Sequence, residues 1–310
     1  MHLKTQVIVN PESNKGRTRR RWRQIKEALR SHFKEFRCEF TEKPLQATEI
    51  AREAIKSGSE LIIGVGGDGT VNEIANGFFE GRRIINPDST LGIVPSGTGC
   101  DLIKSLNIPS GLNDSMKLIV QSGTTSIDVG RAAYTGPDGR SEERLFLNVA
   151  DFGLGGEVIR EVNRKRLERK KSSYFRCLYT AFIHYRHKRL SLKLDGRELA
   201  EEDYMIGAVA NGRVFGKGMK ISPEARIDDG LLDVVLIKSM RMLEFLRNSL
   251  KVYRGTHLSH PKVSLVRCRK VEAVPVSGQE VLIELDGEQL GRLPAIFSLS
   301  EAHLQVKSNL

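Results

Sequence analysis

The stretch Leu61–Phe79, LIIGVGGDGTVNEIANGFF, limits what this chain can fold into more than any other. Leu61, Ile62, Ile63 and Val65 form a short apolar run, the pattern of a strand buried on both faces of a parallel sheet. Gly66, Gly67 and Gly69 follow, and from Thr70 to Phe79 the residues Val71, Ile74, Ala75 and Phe78 fall on one helical stripe. The order is strand, glycine turn, helix. Glycine permits positive φ and close approach of a bulky anion. The N–H groups and positive dipole end of the following helix favour phosphate. Asp68 stands inside that loop, where a phosphate cradle alone needs no carboxylate. Beside phosphates, such a group suggests a bridging Mg²⁺ or a proton-transfer role. The spacing is neither GxGxxG nor GxxxxGK[ST].

The segments around it repeat the same order. Thr5 to Asn10 reads as a strand, broken by Asn10-Pro11-Glu12-Ser13, and a basic helix follows with Trp22, Ile25, Leu29 and Phe33 inward. Phe36 to Thr41 is a second strand, and Ala47 to Ser57 a helix stopped by Gly58. Leu91 to Val94 is a further strand, followed by a second glycine loop, Pro95-Ser96-Gly97-Thr98-Gly99. Alternating strands and helices imply a parallel sheet, and ligands of such sheets bind beyond the carboxyl ends of the strands. The loops after Asn10, Thr41, Val65 and Val94 should therefore share one nucleotide-sized rim.

Beyond Gly123 the character changes. Ser126–Tyr134, Leu145–Ala150, Leu190–Leu194, Tyr204–Asn211, Leu231–Lys238, Lys262–Val274 and Val281–Leu285 read as strands. Helices are expected at about Glu157–Arg169, Ser173–His187 and Met240–Tyr253, and Asp195-Gly196 and Asp286-Gly287 are hairpin signals. This half reads as a mostly antiparallel β domain with inserted helices.

With 310 residues and 39% hydrophobic content, the chain can build two domains. No run approaches the ~18 apolar residues that cross a bilayer, and the first residues lack the pattern of a signal peptide. Cys38, Cys100, Cys177 and Cys268 form no CxxC pair and read as reduced cytosolic thiols. The net charge of +11 is concentrated in Lys15–Arg23 and Arg160–Lys171. It permits attraction to nucleic acid or to an anionic membrane, or simply marks solvated helix faces. No zinc-finger or aromatic RNA-binding signature is present, so no specific nucleic acid is expected.

Gly66-Gly67-Asp68-Gly69-Thr70-Val71-Asn72-Glu73 resembles the GGDGTxNE signature of the diacylglycerol kinase catalytic family. The more distant NAD kinases share only its GGDG part. Asn10-Pro11 with Gly16, the run Pro95 to Asp101, the stretch Asn211 to Asp233 and Asp286-Gly287-Glu288 are similar to further motifs of that family, in the same order. The resemblance implies an N-terminal α/β nucleotide-binding domain with a parallel sheet and a C-terminal antiparallel β domain, NAD kinase/diacylglycerol kinase-like. The first would hold residues 1–125 plus about 295–310, and the second, for the lipid, residues 126–294.

The resemblance also assigns roles. The nucleotide, ATP, would meet Asn10, Thr41, Gly66, Gly67, Asp68, Gly69, Thr70, Val71, Asn72 and Thr98. Asp68, Asp101 and Asp128 would form a network around Mg²⁺ and water at the phosphates, and a mainly structural ion would take the Arg226 and Leu231 carbonyls and the Asp229 carboxylate. Glu288 matches the general base, with Asp68 its rival. Cys100 departs from the pattern, standing where the family usually has asparagine; a thiol cannot reproduce an amide's hydrogen bonds. The expected activity is ATP- and Mg²⁺-dependent phosphorylation of a lipid hydroxyl, diacylglycerol to phosphatidate, by a cytoplasmic protein peripheral to an anionic membrane. Phosphatidylglycerol, a sphingoid base or ceramide stay open as substrates, as do a soluble-substrate kinase, a non-enzymatic nucleotide- or nucleic-acid-binding protein, and a homodimeric state.

Overall fold

The computed structural model describes residues 3–168, 174–276 and 278–310; residues 169–171, the end of the second basic run, lie outside them. The chain divides into two compact units. One holds Met1–Val129, Ile227–Asp229 and Ser300–Leu310, the other Gly130–Arg226 and Gly230–Leu299.

The first unit runs β1 (Thr5–Val9), α1 (Ser13–His32), β2 (Arg37–Phe40), α2 (Gln46–Lys56), β3 (Leu61–Gly66), α3 (Asp68–Gly77), the short pair β4 (Phe79–Glu80) and β5 (Arg83–Ile84), β6 (Thr90–Pro95), α4 (Leu102–Ser105), α5 (Leu112–Gln121) and β7 (Thr124–Ile127). The second unit contributes β8 (Gly130–Thr135), β9 (Ser141–Phe146), β10 (Val149–Gly153), α6 (Leu154–Leu167), α7 (Tyr174–His184), β11 (Lys188–Leu194), β12 (Arg197–Glu198), β13 (Glu202–Ala210) and β14 (Leu232–Lys238). It continues with α8 (Met242–Arg254), a short 3₁₀ turn, β15 (Val263–Cys268), β16 (Lys270–Pro275), β17 (Leu282–Leu285) and β18 (Glu288–Leu299). The last strand, β19 (Leu304–Lys307), returns to the first unit.

The first sheet has the order β2-β1-β3-β6-β19-β7. Its first five strands are mutually parallel, and β7 pairs antiparallel with β19. The sequence dictates which strands are central. β1 and β3 are buried throughout and carry the apolar runs Val7–Val9 and Leu61–Ile63, whereas β2 carries Arg37 and Glu39, is largely exposed and lies at the edge. Ile25 and Leu29 of α1 and Met116 and Ile119 of α5 close one core against Val7, Val9, Ile63 and Val65. Trp22 packs at the margin of that core, edge-on to Phe40 with ring centroids 5.0 Å apart.

The second unit is an antiparallel sheet that closes. β11 pairs with both β16 and β13, so β11, β16, β18, β17, β10 and β13 form a ring with no free edge between them. Its interior is filled by Phe146, Phe152, Phe297, Leu192, Val209, Ile283 and their neighbours. Phe152 and Phe297 stack at 6.0 Å. The Phe152 ring lies over Gly207, where a Cβ would come within 2.0 Å of it.

Both Asp-Gly pairs form the expected turns. Asp195 and Gly196 have φ of 45° and 84°, and Asp286 and Gly287 48° and 91°. Three expected strands are instead broken in two. Ser126–Tyr134 divides at Asp128-Val129, Leu145–Ala150 at Leu147-Asn148, and Lys262–Val274 at Arg269. Polar groups at each break draw the backbone out of the ladder. The Asp128 N–H donates to the Ile227 carbonyl (2.7 Å). Asp286 accepts from the amides of Leu147, Asn148 and Val149 (2.7–3.0 Å), and Asp195 from those of Arg269 and Lys270. A hydropathy pattern reads through such breaks because their side chains keep alternating.

The fully buried Phe297 ring anchors the barrel interior. Phe297→Ala should cost about 3–5 kcal/mol in a denaturant titration of the full chain, by lost transfer energy and the cavity left behind; a cost under 1 kcal/mol would contradict the packing described.

Candidate active site

The two glycine loops of the first unit touch. Ser96 N–H donates to the Gly66 carbonyl at 2.7 Å. A Cβ placed on Gly97 would lie 2.5 Å from Gly67 Cα, and one on Gly67 would lie 3.1 Å from Gly97 Cα. A side chain at Gly97 would strike the Gly67 backbone, which favours glycine there, and the contact at Gly67 is tight. Asp68 lies in the first turn of α3, two residues earlier than the sequence pattern puts the helix start, and is not free in the loop. Its carboxylate accepts the amides of Asp101 (2.7 Å) and Leu102 (3.3 Å), so it ties α3 to the end of the second loop.

The rest of GGDGTVNE divides by role. Thr70 Oγ accepts from Asn10 Nδ2 at 2.9 Å, joining the first loop to the one after β1. Val71 is core, and Asn72 is buried and accepts from Asn76 Nδ2 at 3.1 Å. Glu73 accepts the Ala47 amide at 3.3 Å, at the start of α2. Thr41 N–H donates to the Val9 carbonyl at 2.9 Å, and the exposed Thr98 bonds Asn14 Oδ1 at 3.4 Å. Asn10, Thr41, Gly66 and Thr98 thus all follow carboxyl ends of β1, β2, β3 and β6, as the rim argument requires. Val71 and Asn72 can address a ligand only through their backbone.

Two of the three expected aspartates are brought together. Asp68 holds the Asp101 amide, and the buried Asp101 carboxylate pairs with Lys104 at 2.7 Å. Asp128, also buried, is held by His303 at 3.1 Å. Among the described residues no three acidic, histidine or cysteine side chains converge to ligate an ion directly, so the three aspartates form no direct carboxylate cage. Asp228 and Asp229 precede Gly230, which sits at φ 71° in the loop from Arg226 to Leu231.

Cys100 has φ 44°, a left-handed conformation that asparagine tolerates and a thiol side chain does not favour. Its Sγ accepts the Gly97 amide at 3.2 Å, folding the loop back on itself. Burial pushes its thiol up to about 11, so it stays protonated at neutral pH.

In the second unit Glu288 opens β18 and pairs with Arg144 at 3.1 Å. The turn before it is held twice. Asp286 receives three amides, as above, and Glu284 Oε1 accepts Gly287 N–H at 2.6 Å. Glu284 lies directly across the ladder from Asp151, and both are buried. Burial raises both carboxyls, and the neighbouring Asp151 charge raises Glu284 further. If both were ionised, neither Asp151 oxygen would find a side-chain donor. One shared proton, carried by Glu284, resolves this. Asp151 and Glu284 were missed by the sequence reading; acidic residues inside apolar strands, LNVADFG and VLIELDG, are the signal that could have found them.

The donor sets fit the groups that the sequence implies. The first loop and the first turn of α3 present backbone N–H groups with no Cβ at Gly67, the chemistry of a phosphate cradle. The Arg226–Leu231 loop offers carbonyls and the Asp229 carboxylate, all oxygen donors suited to Mg²⁺.

Comparison with known proteins gives a consistent picture. Residues 4–132 match the diacylglycerol kinase catalytic domain, and residues 148–308 the YegS C-terminal NAD kinase beta sandwich-like domain. A Staphylococcus haemolyticus protein named diacylglycerol kinase is 28% identical over 97% of this chain and 86% of its own length. A Bacillus anthracis crystal structure, provisionally called a diacylglycerol kinase, is 25% identical, with TM-score 0.79 over 100% of this chain and 96% of the other. An Archaeoglobus fulgidus NAD kinase in complex with ATP shares the fold (TM-score 0.53, 16% identity, 98% and 94% coverage).

Two outcomes follow from this geometry. Because the native Asp151–Glu284 pair binds a proton more tightly than unfolded carboxyls do, its stabilising contribution is full at pH below the ordinary carboxylate range near about 4 and is lost as pH rises through the raised native value. Glu284→Gln, which keeps an acceptor for Gly287 and a donor for Asp151, should flatten the fall in melting temperature across that window; an unchanged slope would count against a shared proton. Cys100→Asn should relieve the left-handed strain and raise stability by up to about 1 kcal/mol in denaturant titrations, and a loss would show that the Sγ–Gly97 bond matters more.

Proposed function

The chain belongs to the diacylglycerol kinase catalytic family and is a lipid kinase, and from that premise we propose that it transfers the γ-phosphoryl group of ATP to a lipid hydroxyl, with diacylglycerol as substrate and phosphatidate as product. The observation that carries the reading is the bridge from Asp68 to the Asp101 and Leu102 amides, which fixes two glycine loops beside a helix N-terminus. Phosphoryl transfer is mostly positioning and charge stabilisation, and this rim supports both.

In this reading the amides of Gly66 to Asn72 receive the nucleotide phosphates, with Asn10, Thr41 and Thr98 lining the same rim. Bound Mg²⁺ supplies charge neutralisation at the phosphates, with Asp101 and Asp128 arranging the water around it. A second ion would be held by the Arg226 and Leu231 carbonyls and the Asp229 carboxylate, where it would fix the loop. Glu288 takes the proton of the lipid hydroxyl. The Arg144 guanidinium keeps its carboxylate oriented, and the tight turn bonded to Glu284 and Asp286 fixes where it starts. Asp68, whose oxygens are engaged by two amides, holds the loops and leaves the base role to Glu288.

No helix among the described residues is long and apolar enough to cross a membrane. A peripheral, cytoplasmic mode of access to the lipid is therefore part of the proposal.

Asp68→Ala should abolish lipid-dependent ATP consumption while circular dichroism shows a folded chain. Glu288→Gln should lower kcat by about 10²–10⁴-fold with nucleotide affinity unchanged. Normal turnover by the first variant would remove the site assignment, and normal turnover by the second would return the base role to another group.

A further inference from the structure

α8 has no buried residue, although it packs Phe245 onto Phe182 with ring centroids 4.6 Å apart. Its outer side carries Leu243, Leu246 and Leu250, exposed by 68%, 47% and 64%. Their spacing of three and four residues sets them in one row. Arg241, Arg247, Lys251 and Arg254 flank the row, and among the described residues none of the four makes an ion pair. The one acidic residue of the helix, Glu244, is already engaged by Lys262 at 2.8 Å and His260 at 3.6 Å. A hollow of about 390 Å³ opens on this face, lined by Arg241, Leu243, Glu244, Arg247, Asn248 and Lys251.

The contrast with α6 shows what is unusual. In α6 three cations are matched along the helix: Arg160 with Glu157, Arg164 with Glu161 and Glu168, and Lys165 with Glu161. A solvated basic helix looks like that. In α8 unmatched cations border exposed leucines, and among the described residues neither feature is satisfied.

We propose that α8 is a docking surface for an anionic phospholipid bilayer, lying in its interface with the leucine row in the acyl boundary and Arg241, Arg247, Lys251 and Arg254 among the lipid phosphates. A helix of this pattern binds through buried apolar area together with attraction to anionic lipid. The cationic hollow beside Leu243 has the chemistry to take one phosphate headgroup. A second copy of this chain suits the surface poorly: a two-fold contact would set Arg247 and Lys251 against the same cations of the other copy, in a protein of net charge +11. The inference rests on the lipid-kinase reading only for its biological sense, since vesicle binding is read without turnover.

The test is sedimentation of the full chain with vesicles of phosphatidylcholine alone or with about 30 mol% phosphatidylglycerol. The chain should pellet with the anionic vesicles and release as salt rises. The triple variant Leu243→Ser/Leu246→Ser/Leu250→Ser, and separately Arg247→Glu/Lys251→Glu, should each lose at least tenfold in partition. Transfer to lipid dispersed in detergent micelles should be unchanged in both, which separates failure of this surface from failure of the catalytic reading. In Leu246→Trp, subtraction of the Trp22 signal should leave emission that shifts to the blue with anionic vesicles, a readout that needs no loss of function. Wild-type binding by both variants, no binding by the wild type, or a dimer in light scattering that only the leucine variant dissolves would overturn the proposal.

Discussion

Contact between two backbones organises the first unit. Gly67 and Gly97 approach so closely that a side chain on Gly97 would strike the Gly67 backbone, and the Asp68 carboxylate locks the approach by accepting the amides of Asp101 and Leu102. The strands behind the loops make this possible. β3 and β6 are adjacent and parallel, with Gly66 in register with Pro95, so their carboxyl ends emerge together. Once the loops are fixed, the amides at the start of α3 are held in a constant array. An anion meeting that array finds donors already in place, with little further ordering to offset.

The second unit solves a comparable problem with carboxyl groups in place of glycines. The turn that delivers Glu288 contains two left-handed residues, Asp286 and Gly287, and would be loose if it relied on β17 and β18 alone. Asp286 binds it to the Leu147–Val149 segment, and Glu284 binds it by accepting the Gly287 amide. Burying this acid pair is costly, and a proton held by Glu284 would offset part of that cost. The pair thus links the outer face of the barrel, beside the start of α6, to the turn on which the proposed base stands.

Much of this was legible from residue order. The β3–loop–α3 stretch, the parallel pairing of β1, β3 and β6 and both Asp-Gly turns follow from local patterns with clear physical causes. The return of β19 to the first sheet was expected from the family resemblance alone, since nothing local in Leu304–Lys307 directs it there. What escaped depends on contacts distant in sequence. The divisions of three strands arise from Asp286, Asp195 and the Ile227 carbonyl, each remote from the break it makes. Closure of the barrel by β11 and β13 leaves no local mark, because β11 alternates and β13 is a buried apolar run, patterns that strands of open sheets also show. The place of Asp68 inside α3 was obscured because Asp and Gly read as loop residues although the helix begins there.

The reaction proposed for this chain is phosphorylation of a lipid hydroxyl at the expense of ATP. The most direct measurement incubates the full chain with γ-labelled ATP, Mg²⁺ and, separately, dispersed diacylglycerol, phosphatidylglycerol, ceramide and sphingosine, and follows label into extracted lipid. The account predicts labelled phosphatidate from diacylglycerol. No labelled lipid from any of the four, with the chain folded and nucleotide bound, would contradict it.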